Sequence, residues 1–411
     1  MNSVEVVLED ARLANGRALV GRLYRDASRR GDILRFEYDL AWLEHRNAFE
    51  IDPSLPLREG PFHAADPAQP PSVLQDCSPD RWGRLLMDRR EAMDAREQAR
   101  PRRNLRAWDY LLGVDDGTRM GALRLRDPGT GQCLACAQPS APPSTSLREL
   151  EAAARLVEQG AGEKVDKQVR QLLVPGGSLG GARPKASFVD EQGELWLAKF
   201  PSTEDRHDVG LWEYVAWKLA TDAGIQMPEA KLLELSARGH TFAVKRFDRV
   251  PAGRRMFASA KTLLDMESEG ASYLDIASVV ENQGASGAVA DGLEQLFRRA
   301  VFNVVVGNRD DHLRNHGFLR EPTGWVLSPA FDVNPNPDKD VHVLALDDAD
   351  PTPDTRVLIA QHAFFRLSVE RAERLVEEIR QAVAPWERVA RGLGASGAEL
   401  SLMGAVISIA R

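Results

Sequence analysis

Cysteine is scarce: the chain holds three, Cys77, Cys133 and Cys136. That number excludes a disulfide-stapled secreted scaffold and makes a reducing compartment, the cytoplasm, the expected one. Cys133 and Cys136 form a single C-x-x-C with no second pair and no histidine pair nearby. Two small side chains near a turn is therefore a better reading than a metal or redox site. Long apolar runs are missing too, and the opening MNSVEVVLED has neither a basic nor an apolar leader region, so no membrane partner is expected. Excess positive charge is absent as well. A formal net charge of −8 argues against a surface built as a whole for nucleic acid. Neither GxxxxGK[ST] nor GxGxxG occurs, and no internal repeat is present.

What remains is an ordinary globular composition. The chain has 411 residues, 43% hydrophobic and 28% charged, enough for two or three packed units. The segments VEVVLED, ALVGRLYRD and ILRFEYD read as strands of an antiparallel sheet. Ser78-Pro79-Asp80 starts a helix reaching about Ala99, and the stretch Arg81–Arg106, with nine arginines against four acids, reads as a solvated, salt-bridged surface. AQPSAPPSTS, residues 137–146, is the best linker, and Ser146-Leu-Arg-Glu149 behind it has the capping-box pattern. Residues 186–189 and 194–200 read as a hairpin, followed by a helix from about Asp208 to Ala223 with Trp212, Val215, Ala216 and Leu219 on one face. Strands near 230–235 and 241–247 come next, and beyond Gly292 the pattern is mostly helical. The stretch between Asn334 and Arg356 carries six aspartates and four prolines and is expected to be a mobile loop.

Five places together carry the parts that phosphoryl transfer needs, in a workable order. The run Gly176-Gly177-Ser178-Leu179-Gly180-Gly181-Ala182-Arg183-Pro184-Lys185 puts four glycines in six positions, so backbone N–H groups could turn toward an anion. Lys199 alternates with Leu195 and Leu197, which is expected to place it on the inward strand face, where a lysine wants an anion. Glu213, on the following helix, could orient that lysine. In Gly307-Asn-Arg-Asp310-Asp-His312-Leu-Arg-Asn315-His316 the D-x-x-x-x-N spacing matches a kinase catalytic loop. There the aspartate accepts the substrate proton and the asparagine binds metal. A zinc pair of His312 and His316 competes but lacks a third clear ligand. Asp332 in SPAFDV follows a strand, where a second magnesium ligand belongs.

The sequence resembles the HipA-type kinases, the toxin half of bacterial toxin–antitoxin pairs. The resemblance rests on SLGGARPKA, LAKFPS, LWEYVAWKLATDAGI, FAVKRFDR, NVVVGNRDDHLRNHGF and SPAFDVNP, with LQDCSPDRWGRLLMDRR and MGALRLRD upstream. It implies an α+β, bilobal protein-kinase-like fold with an added N-terminal β-rich subdomain. The implied division is a subdomain over 1–136, a linker over 137–146, an N-lobe over 147–250 and a helical C-lobe over 251–411. It implies ATP and Mg2+, with Asp310 as proton acceptor and Asn315 and Asp332 on the metal. ATP would be met by Gly180, Gly181, Ala182, Arg183, Pro184 and Lys185, by Lys199, by a hinge of Lys245, Arg246 and Phe247, and by His312. Lys245 stands where an acidic residue is common in the family, and Arg183-Pro184 replaces a Gln-Glu pair seen in some members. Ser178 matches a serine that members autophosphorylate, shutting the kinase down. The implied partners are a helix-turn-helix antitoxin resembling HipB, DNA reached through that antitoxin, and a protein substrate in translation such as an aminoacyl-tRNA synthetase. The alternative is a kinase-fold co-repressor that binds an antitoxin without turnover.

Overall fold

The computed structural model describes residues 1–14, 16–27, 31–160, 166–176 and 181–409. The chain forms two compact units, one of Met1–Glu204 with Ala243–Phe257, the other of Asp205–Phe242 with Ala258–Arg411. The N-terminal subdomain and the expected hinge therefore fall in one unit, a grouping that the sequence-based division does not suggest.

In the first unit, the alternating apolar residues at the start form an antiparallel sheet of β1 (Ser3–Leu8), β2 (Ala18–Ala27), β3 (Asp32–Tyr38) and β4 (Leu123–Arg126), in the order β3-β2-β1-β4. Val4, Val6, Leu23, Phe36 and Leu125 are buried, each from this sheet. The arginine-rich stretch is the helix Arg81–Glu97, which buries Trp82, Leu86, Met87 and Met93 and leaves a charged outer surface. There Arg90 pairs with Asp94 at 2.9 Å and Arg96 with Asp166 at 2.7 Å. Glu91 departs from the expected solvated pattern: it is buried, accepting from the Arg103 backbone N–H at 2.9 Å and from the Arg103 guanidinium at 3.1 Å.

Helix Leu147–Gln159 forms where expected, but the capping box does not. Ser146 already sits in the right-handed region (φ −85°, ψ −4°), at the end of a 3-10 turn over Ser144–Ser146, and its side chain caps nothing. An N-cap serine needs extended backbone to aim its hydroxyl at the first turn. β5 (Lys185–Val189) and β6 (Leu195–Lys199) pair from Lys185 opposite Lys199 to Val189 opposite Leu195. Trp196 and Ala198 are fully buried, while Leu195 and Lys199 are only partly covered. Leu197, on the side of Lys199, is buried as well, so both faces of β6 are covered at its middle and Lys199 is half-buried at its end.

In the second unit, helix Val209–Asp222 is capped by Asp208, which accepts from the Leu211 N–H at 3.0 Å. Its seam of Trp212, Val215, Ala216 and Leu219 is buried as expected. β7 (Ala230–Ser236) turns into β8 (Gly239–Lys245), whose last residues enter the first unit. The core of the second unit is helix Val289–Val306, packed by the helices Tyr273–Gln283 and Val369–Val383. The stretch after Asn334 differs from the mobile loop its composition suggests. Leu344 and Leu346 are fully buried, and Ala345 exchanges backbone hydrogen bonds of 3.0 Å with Ala271 and Tyr273. Apolar anchors set every other residue outweigh the acidic content around them. Among the described residues no helix is long and apolar enough to cross a membrane.

Candidate active site

Helix Val289–Val306 ends at Gly307, whose φ of +71° reverses the chain. A Cβ there would lie 2.2 Å from Val406 Cγ1, so both the turn and the packing require glycine. The loop that follows carries the D-x-x-x-x-N residues. Its two adjacent aspartates meet opposite fates. Asp310 keeps 57% of its side-chain exposure and pairs with the Lys339 ammonium. Asp311 is buried and accepts on Oδ2 from Tyr273 Oη at 2.6 Å and Asn303 Nδ2 at 2.9 Å, with His316 Nε2 at 2.8 Å. Asn308 extends the cluster, donating to Asn303 Oδ1 at 3.1 Å.

Burial alone would raise the Asp311 carboxyl; the His316 charge and the bonds from His316 and Tyr273 outweigh it and hold the group below its ordinary value. Burial, then the Asp311 charge, drives the Tyr273 hydroxyl well above its own ordinary value, so it stays a donor. A carboxylate so satisfied is an anchor. It fixes the loop from below and leaves Asp310 facing out. His316 is turned to Asp311 rather than toward a shared metal with His312, whose carbonyl closes the 3-10 turn Leu313–Asn315 by accepting from the Asn315 N–H at 2.8 Å.

Asn315 Nδ2 reaches the Asp310 carbonyl at 3.5 Å, which leaves the amide oxygen as an acceptor. The strands Gly317–Glu321 and Gly324–Leu327 form a hairpin that leads directly to Asp332. Asp332 has φ +59°, a left-handed conformation that costs a non-glycine residue about 1 kcal/mol. Such outliers gather at functional sites. Asn315 lines one pocket with Phe331 and Val333, the neighbours of Asp332, together with Asp311, His316 and Arg299. Arg299 is buried and donates to the Ser328 carbonyl at 2.6 Å, tying the core helix to the segment that presents Asp332. Two residues past Asp332, the Asn334 Oδ1 is buried with no hydrogen-bond partner. Carboxylate and amide oxygens suit a hard cation such as magnesium, and the desolvated, unpaired Asn334 oxygen, two residues along the chain from Asp332, is of the same donor type.

The remaining residues named from sequence lie in the first unit or on Glu213. Lys199 is half-buried at the end of β6. Lys185 is buried at 2% exposure, and Arg246 at 6%, so neither side chain stands open to a ligand. Lys245 pairs with Glu194 at 2.6 Å, and the Phe247 ring lies 6.1 Å from that of Phe257. Ala182 is exposed, Gly181 has φ +101°, Arg183 is half-buried, and the Pro184 carbonyl accepts from the Phe200 N–H at 2.9 Å. Gly180 and Ser178 lie outside the described residues. Glu213, in the second unit, is buried at 4% exposure, a place where a carboxylate requires a polar partner. Cys133 and Cys136 are free thiols, and among the described residues no cluster of three or more histidine, cysteine or acidic side chains is set to hold a metal.

The HipA-like C-terminal domain model matches residues 177–386, more than half of the chain, and the HipA N-terminal domain model matches residues 12–108. The protein belongs to the HipA-like family. Among curated relatives, "Putative kinase Y4dM" of Sinorhizobium fredii is 29% identical over 41% of this chain and 41% of its own length. "Putative kinase Y4mE" of the same organism is 26% identical over 77% of this chain and 74% of its own. The "Serine/threonine-protein kinase toxin HipA" of Shewanella oneidensis is 22% identical over 55% of this chain and 59% of its own. In two of the three the match spans less than two thirds of the relative. Among solved structures, the Shewanella oneidensis complex of HipA, HipB and operator DNA aligns at a TM-score of 0.66 and 17% identity, over 98% of this chain and 94% of that one. The fold is therefore the HipA fold, an α+β kinase-like architecture with an added N-terminal domain.

Proposed function

We propose that this protein is an ATP- and magnesium-dependent serine/threonine protein kinase and the toxin of a toxin–antitoxin pair. The observation that carries the reading is the division of labour between adjacent aspartates: Asp311 buried as an anchor, Asp310 held outward at D-x-x-x-x-N spacing from Asn315. In this reading the hydroxyl oxygen of a serine or threonine attacks the γ-phosphorus as the bond to the β-phosphate oxygen breaks. ADP leaves and Asp310 takes the hydroxyl proton. Asn315 and Asp332 hold the metal, which when bound neutralises charge on the phosphate oxygens. Lys199 holds ATP phosphates.

The finer assignments follow from kinship. The backbone of Gly180 to Lys185 covers the nucleotide, and the backbone of residues 245–247 meets the adenine. The partner is a HipB-like helix-turn-helix antitoxin, through which DNA is reached indirectly. The substrate is a component of translation, and phosphorylation of Ser178 inactivates the enzyme by placing charge in the nucleotide loop.

The test is the intact mass of the purified chain after incubation with ATP and Mg2+, beside Asp310→Asn and Ser178→Ala. A phosphate-sized gain on the wild type, lost in both variants, is the expected result. An AMP-sized gain would replace kinase by nucleotidyl transfer. A wild-type chain that starts unmodified and gains nothing, on itself or on added cell protein, would overturn the reading.

A further inference from the structure

We propose that the N-terminal domain is a positioning element of the nucleotide site, gripping through two buried charge clamps both segments of its own unit that the kinase reading assigns to ATP. The inference rests on that reading and adds residues to it that touch no nucleotide.

The first clamp holds the end of the glycine-rich segment. Asp80 stands just before helix Arg81–Glu97, and its Oδ2 lies 3.6 Å from the buried Nζ of Lys185. Trp82 Nε1 donates to the Lys185 carbonyl at 3.1 Å, and the Trp82 N–H reaches the Gly181 carbonyl at 3.4 Å. A Cβ on Gly181 would sit 2.9 Å from Lys185 Nζ, so the backbone closes tightly over the ammonium. The same helix packs along helix Asp166–Gly176, which leads into the glycines, and Arg89 donates to the Gly160 carbonyl at 2.6 Å.

The second clamp holds the segment after β8. Asp248 is fully buried and accepts from Arg246 Nε and Nη2, each at 2.6 Å, from Arg249 Nη1 at 2.5 Å and from the Gly121 N–H at 2.7 Å. Arg246 Nη1 donates to the Thr118 carbonyl at 3.0 Å, and Arg249 Nη2 to the carbonyls of Gly117 at 3.0 Å and Arg119 at 2.7 Å. Arg254 joins at the Asp116 carbonyl, 2.6 Å away.

Buried ion clusters are a poor source of net stability, because desolvation offsets most of the attraction. Forked guanidinium–carboxylate bonds do, however, fix geometry tightly. Here they turn Arg246, a residue of the expected hinge, away from any ligand and onto the loop Asp115–Gly121. The path of residues 181–185 and 246–249 is thereby set by the domain that precedes them in sequence. Displacement of a binding segment by about 1 Å is enough to weaken its contacts severely.

The experiment uses the full chain. ATP affinity by calorimetry, and kcat and KM for ATP in phosphoryl transfer, are measured for wild type, Asp80→Asn, Asp248→Asn and the milder Arg249→Lys. KM and Kd for ATP are expected to rise about tenfold or more in the Asn variants and less in Arg249→Lys, with kcat within about twofold. Folded variants with wild-type ATP affinity, or with kcat lost and KM unchanged, would overturn the inference. If Asp248→Asn does not fold, the other two carry the same test. A wild type that binds no ATP would fail the kinase reading itself, a result distinct from binding that the variants leave undiminished.

Discussion

Lys339 places its ammonium on Oδ1 of Asp310, while its own carbonyl accepts a hydrogen bond from Arg309, the residue just before that aspartate. Side chain and main chain of one lysine thus brace the turn that presents the proposed proton acceptor. The pair is solvent-exposed, at 40% for the lysine and 57% for the aspartate, so it contributes little to stability. Its effect is on orientation: with Oδ1 engaged, the carboxylate offers Oδ2 to an incoming hydroxyl.

Lys339→Ala is therefore expected to leave the melting temperature unchanged and lower kcat about tenfold, with KM for ATP unaffected. Steady-state kinetics at saturating protein substrate, beside a thermal melt, check both halves. A melt that shifts with unchanged kcat would make Lys339 a structural residue only.

The neighbouring aspartates should separate stability from chemistry. Asp310→Asn is expected to melt like wild type and transfer no phosphate. Asp311→Asn leaves Tyr273, Asn303 and His316 donating to a group with less charge, and is expected to cost roughly 3–5 kcal/mol in urea unfolding. Equal stability of the two variants would contradict the anchor role.

Asp80 gives a pH signature. Burial pushes its carboxyl up to about 6, against the opposing pull of Lys185. Between about pH 4, the unfolded value, and pH 6 the folded chain then holds a proton that the unfolded chain releases. Stability from this group accordingly falls as pH rises through that window and is flat above it. Urea unfolding of wild type and Asp80→Asn across pH 4–7 should yield a difference curve with that slope, and a flat difference would refute it.

Gly307→Ala combines a left-handed φ with a Cβ 2.2 Å from Val406 Cγ1. An expected loss of roughly 2–4 kcal/mol follows. Because the proposed catalytic loop starts there, kcat should fall in the fraction that remains folded, as an active-site titration beside a denaturation curve would register.

Much of this was legible in the sequence. The strands, the helices Arg81–Glu97 and Val209–Asp222, and the spacing from Asp310 to Asn315 follow from local periodicity and motif. What stayed hidden depends on residues far apart in the chain. Nothing in N-R-D-D-H says which aspartate is buried; Tyr273 and Asn303, on two other helices, decide it. Alternation puts Lys199 with Leu195 and Leu197; in the fold Leu197 is buried beside Trp196 and Ala198, so the strand is covered on both faces, which alternation alone does not show. In sequence Asp80 reads as a helix start and Lys185 as the end of the glycine-rich loop; that they pair is set by the fold. Composition misled at 334–356, where Leu344 and Leu346 are anchored despite the surrounding acids. Lys339 and Asn334 carried no signal in sequence beyond their nearness to Asp332.

The buried Asp311 cluster also bears on the conformational freedom of the proposed catalytic loop. A loop ordered by its own hydrogen bonds has little conformational entropy left to lose, and ordering a free one would take about 1–2 kcal/mol per residue out of the binding free energy. The loop from Asp310 to His316 is held from within the protein, with Asp311 met by three donors from two helices and the loop itself. Under the kinase reading, little of the binding free energy then goes into ordering this loop.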